Sequence, residues 1–157
     1  MRESGTDGLR PIADAPTIRS LIGQLEAATE GSRQLDADIW LMINPREAAV
    51  AIQQGQALAQ KGSSEERLNA AGRRALERVA PHYTTSIDAA ATLVMRSYQW
   101  NLADYSGFAR ASVGGTKKFG IADAPTAPLA LCIAALKARA AVQVAEGRPE
   151  GPSVHKD

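Results

Sequence analysis

The chain contains few of the residues from which catalytic and metal sites are usually built. Its 157 residues include one cysteine and two histidines. One cysteine excludes an intramolecular disulfide, which fits a reducing compartment, and two histidines without spaced cysteine or acidic partners form no recognisable metal set. Cys132 lies in an apolar helical run, where a buried and unreactive thiol is expected. The sequence therefore predicts no catalytic residue, no metal and no cofactor.

The shortage of histidine also limits acid–base chemistry. His155 falls in a segment that is expected to be a disordered tail, so His82 is the remaining candidate base. An enzyme that used His82 with Asp88 or Tyr83 is one functional hypothesis. An ordinary surface or capping histidine is the alternative, and we expect the protein not to be an enzyme.

Aromatic residues are scarce as well, at 4% of the chain. Five of the seven lie in residues 83–108, so the core is expected there. Within this stretch Tyr98, Trp100 and Leu102 alternate with polar residues, the pattern of a strand with one buried face. A turn-forming run and a return strand over residues 108–113 follow.

Most of the remaining chain has helical spacing. The pattern predicts a helix over Glu65–Val79, begun by Ser64 and stopped by Pro81. Gly55 weakens the helix before it. Further helices are predicted after Thr17, Ser32, Asn44, Thr85 and Thr126.

These patterns predict a helix-rich α+β fold with a small antiparallel sheet of two to three strands covered by helices. Residues 1–16 are expected to form a disordered N-terminal arm, residues 17–143 a single domain, and residues 144–157 a disordered C-terminal tail.

The net charge of +1 gives no general argument for a nucleic-acid partner, but the charge is uneven. Residues 1–66 carry 6 basic and 10 acidic side chains, and residues 67–157 carry 12 and 7. Arg67, Arg74 and Arg78 are seven and four residues apart, so they form a stripe on one helix. Such a stripe can hold phosphates. Three glutamates share the helix, so a solvated face is the alternative.

A second candidate anion contact is the glycine-rich stretch of residues 114–118. Its backbone amides, Lys117 and Lys118 could meet an anion. The stretch lacks the full spacing of a phosphate-binding loop, so a flexible connector is the alternative.

Three segments in order carry a family resemblance: residues 25–39, 83–90 and 127–139. Together they resemble the small phage and prophage proteins of the phage ABA sandwich domain family, over most of residues 18–142. The resemblance implies an α-β-α layered domain without an established enzymatic activity. The chain departs from the family pattern by a helical insertion over about residues 45–80.

Two functional readings follow from the residues and the resemblance. The first is a phage- or prophage-derived, non-enzymatic accessory protein that acts by binding a phage or host protein and by self-association as a homo-oligomer. The alternative is a binder of anions, nucleotides or nucleic acid that sequesters a ligand in counter-defence, through Arg67, Arg74, Arg78, Lys117 and Lys118. The host cytoplasm is the expected location, because no stretch is long enough to cross a bilayer.

Overall fold

The structure, a computed structural model, describes residues 17–115 and 119–145. Within them it confirms a helix-rich α+β fold with a three-stranded antiparallel sheet. The helices are α1 Ile18–Ala27, α2 Arg33–Ile43, α3 Pro45–Ala57, α4 Glu65–Val79, α5 Ile87–Ala91 and α6 Ala127–Ala145, and the strands are β1 Gln99–Tyr105, β2 Phe108–Gly114 and β3 Phe119–Ala124. The arm expected at residues 1–16 lies outside the described residues. Of the tail expected at residues 144–157, the first two residues belong to α6 and the rest lies outside the described residues.

The contacts divide the described chain into two compact units. Arg33–Pro81, with α2, α3 and α4, form one, which we call the helical unit. Ile18–Ser32 and the described residues from His82 onward form the other, which contains the sheet and which we call the sheet unit. The insertion expected at residues 45–80 lies inside the helical unit, which begins already at Arg33.

The helical unit has an apolar core of its own. Half-buried Trp40 packs against it. The buried members come from all three helices and are mostly small: Ala37, Leu41, Ala48, Ala51, Ile52 and Leu76. Small side chains bury little area each, so the stability of this core depends on close approach of the helix backbones.

Two glycines allow that close approach between α3 and α4. A Cβ atom on Gly55 would lie 2.5 Å from the Cβ of Ala75, and one on Gly72 would lie 2.7 Å from Cγ2 of Ile52. Gly55 does weaken α3 as a helix former, but its missing side chain is what admits α4.

Arg33 connects the two ends of the helical unit through hydrogen bonds. Its guanidinium donates hydrogen bonds to the carbonyls of Glu77 at 2.9 Å and of Ala80 and Pro81, where α4 ends. Carbonyls at the end of a helix have no partner within the helix, so Arg33 satisfies groups that water would otherwise solvate. The same guanidinium forms a 2.6 Å ion pair with buried Asp36.

The sheet has the strand order β1-β2-β3, with each neighbour antiparallel. Tyr105 pairs with Phe108 across a two-residue turn, in which Gly107 has a φ of +90°. That left-handed conformation suits glycine, because it has no Cβ to clash. The strand pair predicted from alternation is therefore confirmed, and β3 completes the sheet.

Helix α6 lies against one face of the sheet and forms the centre of the sheet unit. It contacts a surface of small residues on β2 and β3, and a Cβ on Gly120 would lie 2.3 Å from the carbonyl oxygen of Ala134. Leu129, Ile133 and Leu136 of this helix are fully buried. Helices α1 and α5 pack on α6 rather than on the sheet.

One expectation about the sheet was wrong in detail. Trp100 is 41% exposed, so the aromatic stretch is not the core, because β1 is an edge strand and α6 lies mainly over β2 and β3. Within the sheet unit, α6 lies over one face of the sheet, and Phe119 and Ile121 on the other face are 60% and 49% exposed.

Candidate anion-binding groove

Three arginines predicted to form a stripe do share one face of α4. Arg67 and Arg74 are seven residues apart, and Arg74 and Arg78 are four apart. On a helix of 3.6 residues per turn, these spacings place all three within about 40° of one another around the axis. All three side chains are exposed. The stripe runs about 16 Å along the axis, at 1.5 Å per residue.

The arginines border an open groove of about 510 Å³ on the helical unit. Its lining consists of the three arginines, four small residues, and three residues near the end of α3 and the start of α4: Arg67, Arg74, Arg78, Gly55, Ala59, Ala70, Ala71, Leu58, Gln60 and Ser63. Because small residues line it, the guanidinium groups stand above their surroundings, where a ligand can reach their planar donor edges.

The charge of the groove is not neutralised from within. Among the residues that the structure describes, Arg67, Arg74 and Arg78 form no ion pair. Glu65, Glu66 and Glu77 share α4 but do not line the groove. They lie about 80° or more around the helix from the centre of the arginine stripe, by the 100° turn per residue.

Arg73 shows what a structural arginine on the same helix looks like. It forms ion pairs with Asp38 at 2.9 Å and Glu77 at 3.1 Å, and donates to the carbonyl oxygen of Gln34 at 3.1 Å. Burial disfavours its charge, but the hydrogen bonds and charges of the two carboxylates outweigh burial and raise the pKa of Arg73. Arg73 and Arg74 are neighbours in sequence with opposite environments.

The rim opposite the arginines contains residues that the sequence did not single out. Ser63 donates a hydrogen bond from its hydroxyl to the carbonyl of Gln60 at 2.6 Å, which holds this turn closed. Leu58 is 84% exposed at the end of α3. The sequence predicts that Ser64 begins α4, but the position of this turn beside the stripe follows only from the packing of α3 on α4.

The remaining candidates are not gathered at this groove. Lys117 and Lys118 lie outside the described residues. His82 and Asp88 are exposed whereas Tyr83 is 3% exposed, and none of the three lines the groove. Cys132 is buried, and its thiol donates to the carbonyl of Tyr83 at 3.1 Å.

Two features are absent from residues 17–115 and 119–145. No group of three or more histidine, cysteine, aspartate or glutamate side chains there could hold a metal ion. No helix in that part of the chain combines the length and apolarity needed to span a membrane. Comparisons with protein-family models, curated proteins and solved structures found no match to the chain.

Proposed function

We propose that the helical unit binds an extended, phosphate-bearing polyanion through the groove beside Arg67, Arg74 and Arg78. One observation supports this function above all: three exposed arginines, without ion partners among the described residues, border one groove lined with small residues. Arginine is well suited to phosphate, because its fork of N–H donors matches two phosphate oxygens at once.

The length of the stripe favours an elongated ligand. Arg67 and Arg78 are about 16 Å apart along the axis at 1.5 Å per residue. A ligand that engages all three arginines therefore carries several anionic groups along its length, as a nucleic-acid backbone or a polyphosphate does. A mononucleotide presents its phosphates at one end and reaches only part of the stripe.

The lining favours recognition of a backbone over recognition of bases. Within the described part of the chain no aromatic side chain lines the groove, and stacking on aromatic rings is the usual way in which proteins hold unpaired bases. Binding dominated by phosphate contacts is sequence-independent and weakens with salt. We therefore place oligonucleotide strands ahead of free nucleotides as ligands.

Fluorescence anisotropy with a labelled oligothymidylate about 12 nucleotides long tests the proposal. We expect a dissociation constant of about 10⁻⁶ to 10⁻⁴ M, and a slope of about −2 in log K against log salt for three contacts to a single strand. An oligoadenylate of equal length should bind within a few-fold of this affinity. ATP should bind more weakly than either strand.

Charge reversal at Arg74 distinguishes the groove from general positive charge. Arg74→Glu should weaken binding about tenfold or more, because a hydrogen bond to a charged group contributes about 1.5–3 kcal/mol. Arg46→Glu is the matched control, since Arg46 is exposed on α3 of the same unit and does not line the groove. Equal losses from both variants, or no binding at low salt, would contradict the proposal.

A second candidate function is self-association, which the exposed apolar residues of the sheet favour. Tyr105, Phe119 and Ile121 are 49%, 60% and 49% exposed. Exposed apolar groups of this kind beside polar ones are typical of interaction surfaces. Ile121→Asp should reduce a dimer to monomer by sedimentation, and a wild-type chain that stays monomeric would contradict this candidate. The phage or prophage origin and a phage or host protein partner stay predictions.

A further inference from the structure

The face of the sheet opposite α6 has residues from all three strands. Cross-strand partners share a face, so the register assigns the central and β3 residues in rows: Arg110 with Asp123, Ser112 with Ile121, and Gly114 with Phe119. Arg110 and Asp123 form a bidentate pair at 2.7 and 2.9 Å while remaining 51% and 46% exposed. We call these rows the open face.

The open face is complementary to itself. Consider a two-fold axis parallel to the strands and midway between β2 and β3, with two sheets packed face to face. Each open-face residue of β2 or β3 then meets its own cross-strand partner from the second copy, so Arg110 meets Asp123 and Asp123 meets Arg110, while β1 lies beyond β3 of the other copy. A symmetric dimer requires such a self-complementary patch. An axis centred on β2 would instead place Arg110 against itself.

The same axis places an aromatic ring over a glycine. Phe119 of one copy would lie over Gly114 of the other, where an open hollow of about 340 Å³ is lined by Gly114, Gly115 and that copy's own Phe119. A cavity of about 150 Å³ suffices for benzene, so the hollow has room for the ring. Ile121 would lie over Ser112, which is half-buried.

We propose that the open face docks a second copy of this chain about that axis, with Arg110 and Asp123 exchanged between copies. This inference rests on the self-association candidate and adds its surface and symmetry. The overlapping strands β2 and β3 project an area of about 200 Å² on each copy, from a spacing of about 4.8 Å and a rise of about 3.3 Å per residue. An interface this small is typical of weak, reversible association.

Mixing two charge-reversed variants tests the exchange. Arg110→Glu places a second carboxylate against Asp123 in its own dimer, and Asp123→Arg places two guanidinium groups together, so each variant alone should be monomeric in sedimentation up to a few hundred micromolar. In the mixture, every charge on one chain faces its opposite on the other, so the dimer should return. An intramolecular role of the pair cannot produce this rescue.

Two control variants distinguish a loss of the open-face contact from a loss of folding. Arg96→Glu makes the same charge change at an exposed position off the open face, and should leave the dimer intact. Phe119→Ser keeps the ion pair and should also give a monomer, which preserves the test where a charge reversal fails to fold by circular dichroism. A monomeric wild type would overturn self-association itself. If the wild type is a dimer, two results would overturn the assignment of the interface to the open face. One is a Phe119→Ser variant that stays dimeric, and the other is a pair of folded charge variants that stay monomeric when mixed.

Discussion

Arg33 and Asp36 face each other one turn apart on α2, and their 2.6 Å ion pair buries the carboxylate completely while the guanidinium keeps 31% of its surface. Arg33 also holds the carbonyls at the end of α4, so one side chain joins the first and last residues of the helical unit. Removing one partner of a buried ion pair is strongly destabilising, because the other partner loses its counterion.

The first prediction concerns this pair. Arg33→Met should lower the free energy of unfolding of the helical unit by roughly 3 kcal/mol, because it removes the guanidinium from buried Asp36 and from the carbonyls at the end of α4. Arg33→Met with Asp36→Asn should recover part of the loss. The free energy of unfolding is measured by urea unfolding, followed by Trp40 fluorescence. A Trp100→Phe background removes the second tryptophan from the signal. Arg46→Met, at an exposed position, is the control, and an equal loss there would contradict the assignment.

The second prediction concerns the contact between α3 and α4. Gly72→Ala should destabilise the helical unit by about 1–3 kcal/mol through overpacking against Ile52, although alanine is the better helix former. The control is Gly23→Ala on α1, where the added methyl meets nothing within 4 Å and a gain of up to about 1 kcal/mol is expected. Stabilisation by both substitutions in thermal unfolding would be inconsistent with close helix packing.

The third prediction contrasts two neighbouring arginines. Arg73→Gln should lower stability, since it removes ion pairs to Asp38 and Glu77, and should leave oligonucleotide affinity within about twofold. Arg74→Gln should leave the stability unchanged and should weaken oligonucleotide binding. Urea unfolding measures the stability of both variants, and fluorescence anisotropy measures their oligonucleotide affinity. A loss of affinity in Arg73→Gln as large as that in Arg74→Gln would contradict the assignment of the groove.

The fourth prediction concerns acid titration of the open face. Hydrogen bonds from Arg110 lower the pKa of Asp123 below its ordinary value of 3.8, against an opposing effect of desolvation. The pair is therefore complete at neutral pH, persists as the pH falls to about 5, and is lost only as the pH falls through that lowered pKa. Carboxyl ¹³C shifts of Asp123 should give a midpoint below 3.8 that Arg110→Gln raises. A wild-type midpoint above the ordinary value would argue against the pair.

Local patterns predicted much of the helical part of the fold. The predicted bounds of α4 are correct at both ends, because Ser64 caps the helix and Pro81 follows it. The arginine spacing of seven and four also placed three side chains on one face. The groove beside them could not be predicted, because it depends on the meeting of Gly55 with Ala71 and Ala75 from a different helix.

The sheet was harder to predict, for a different physical reason. Strand β3 buries Gly120, Ala122 and Ala124 and exposes Phe119, so its larger apolar residues point away from the core. Alternation at Trp100 indicated a strand and the face toward α6, since Trp100 pairs with buried Val113, but it did not indicate that α6 leaves this edge strand largely uncovered. The core of the sheet unit instead follows α6, whose residues 129–136 are all buried.

The central claim is that the arginine groove of the helical unit is the polyanion site. The most direct measurement is a titration of the ¹⁵N-labelled chain with the same oligothymidylate, followed by amide and arginine side-chain resonances. We predict shifts concentrated in residues 58–78, including the Nε–H signals of Arg67, Arg74 and Arg78, and absent from Arg73. Shifts confined to the sheet unit, or none at low salt, would contradict the account.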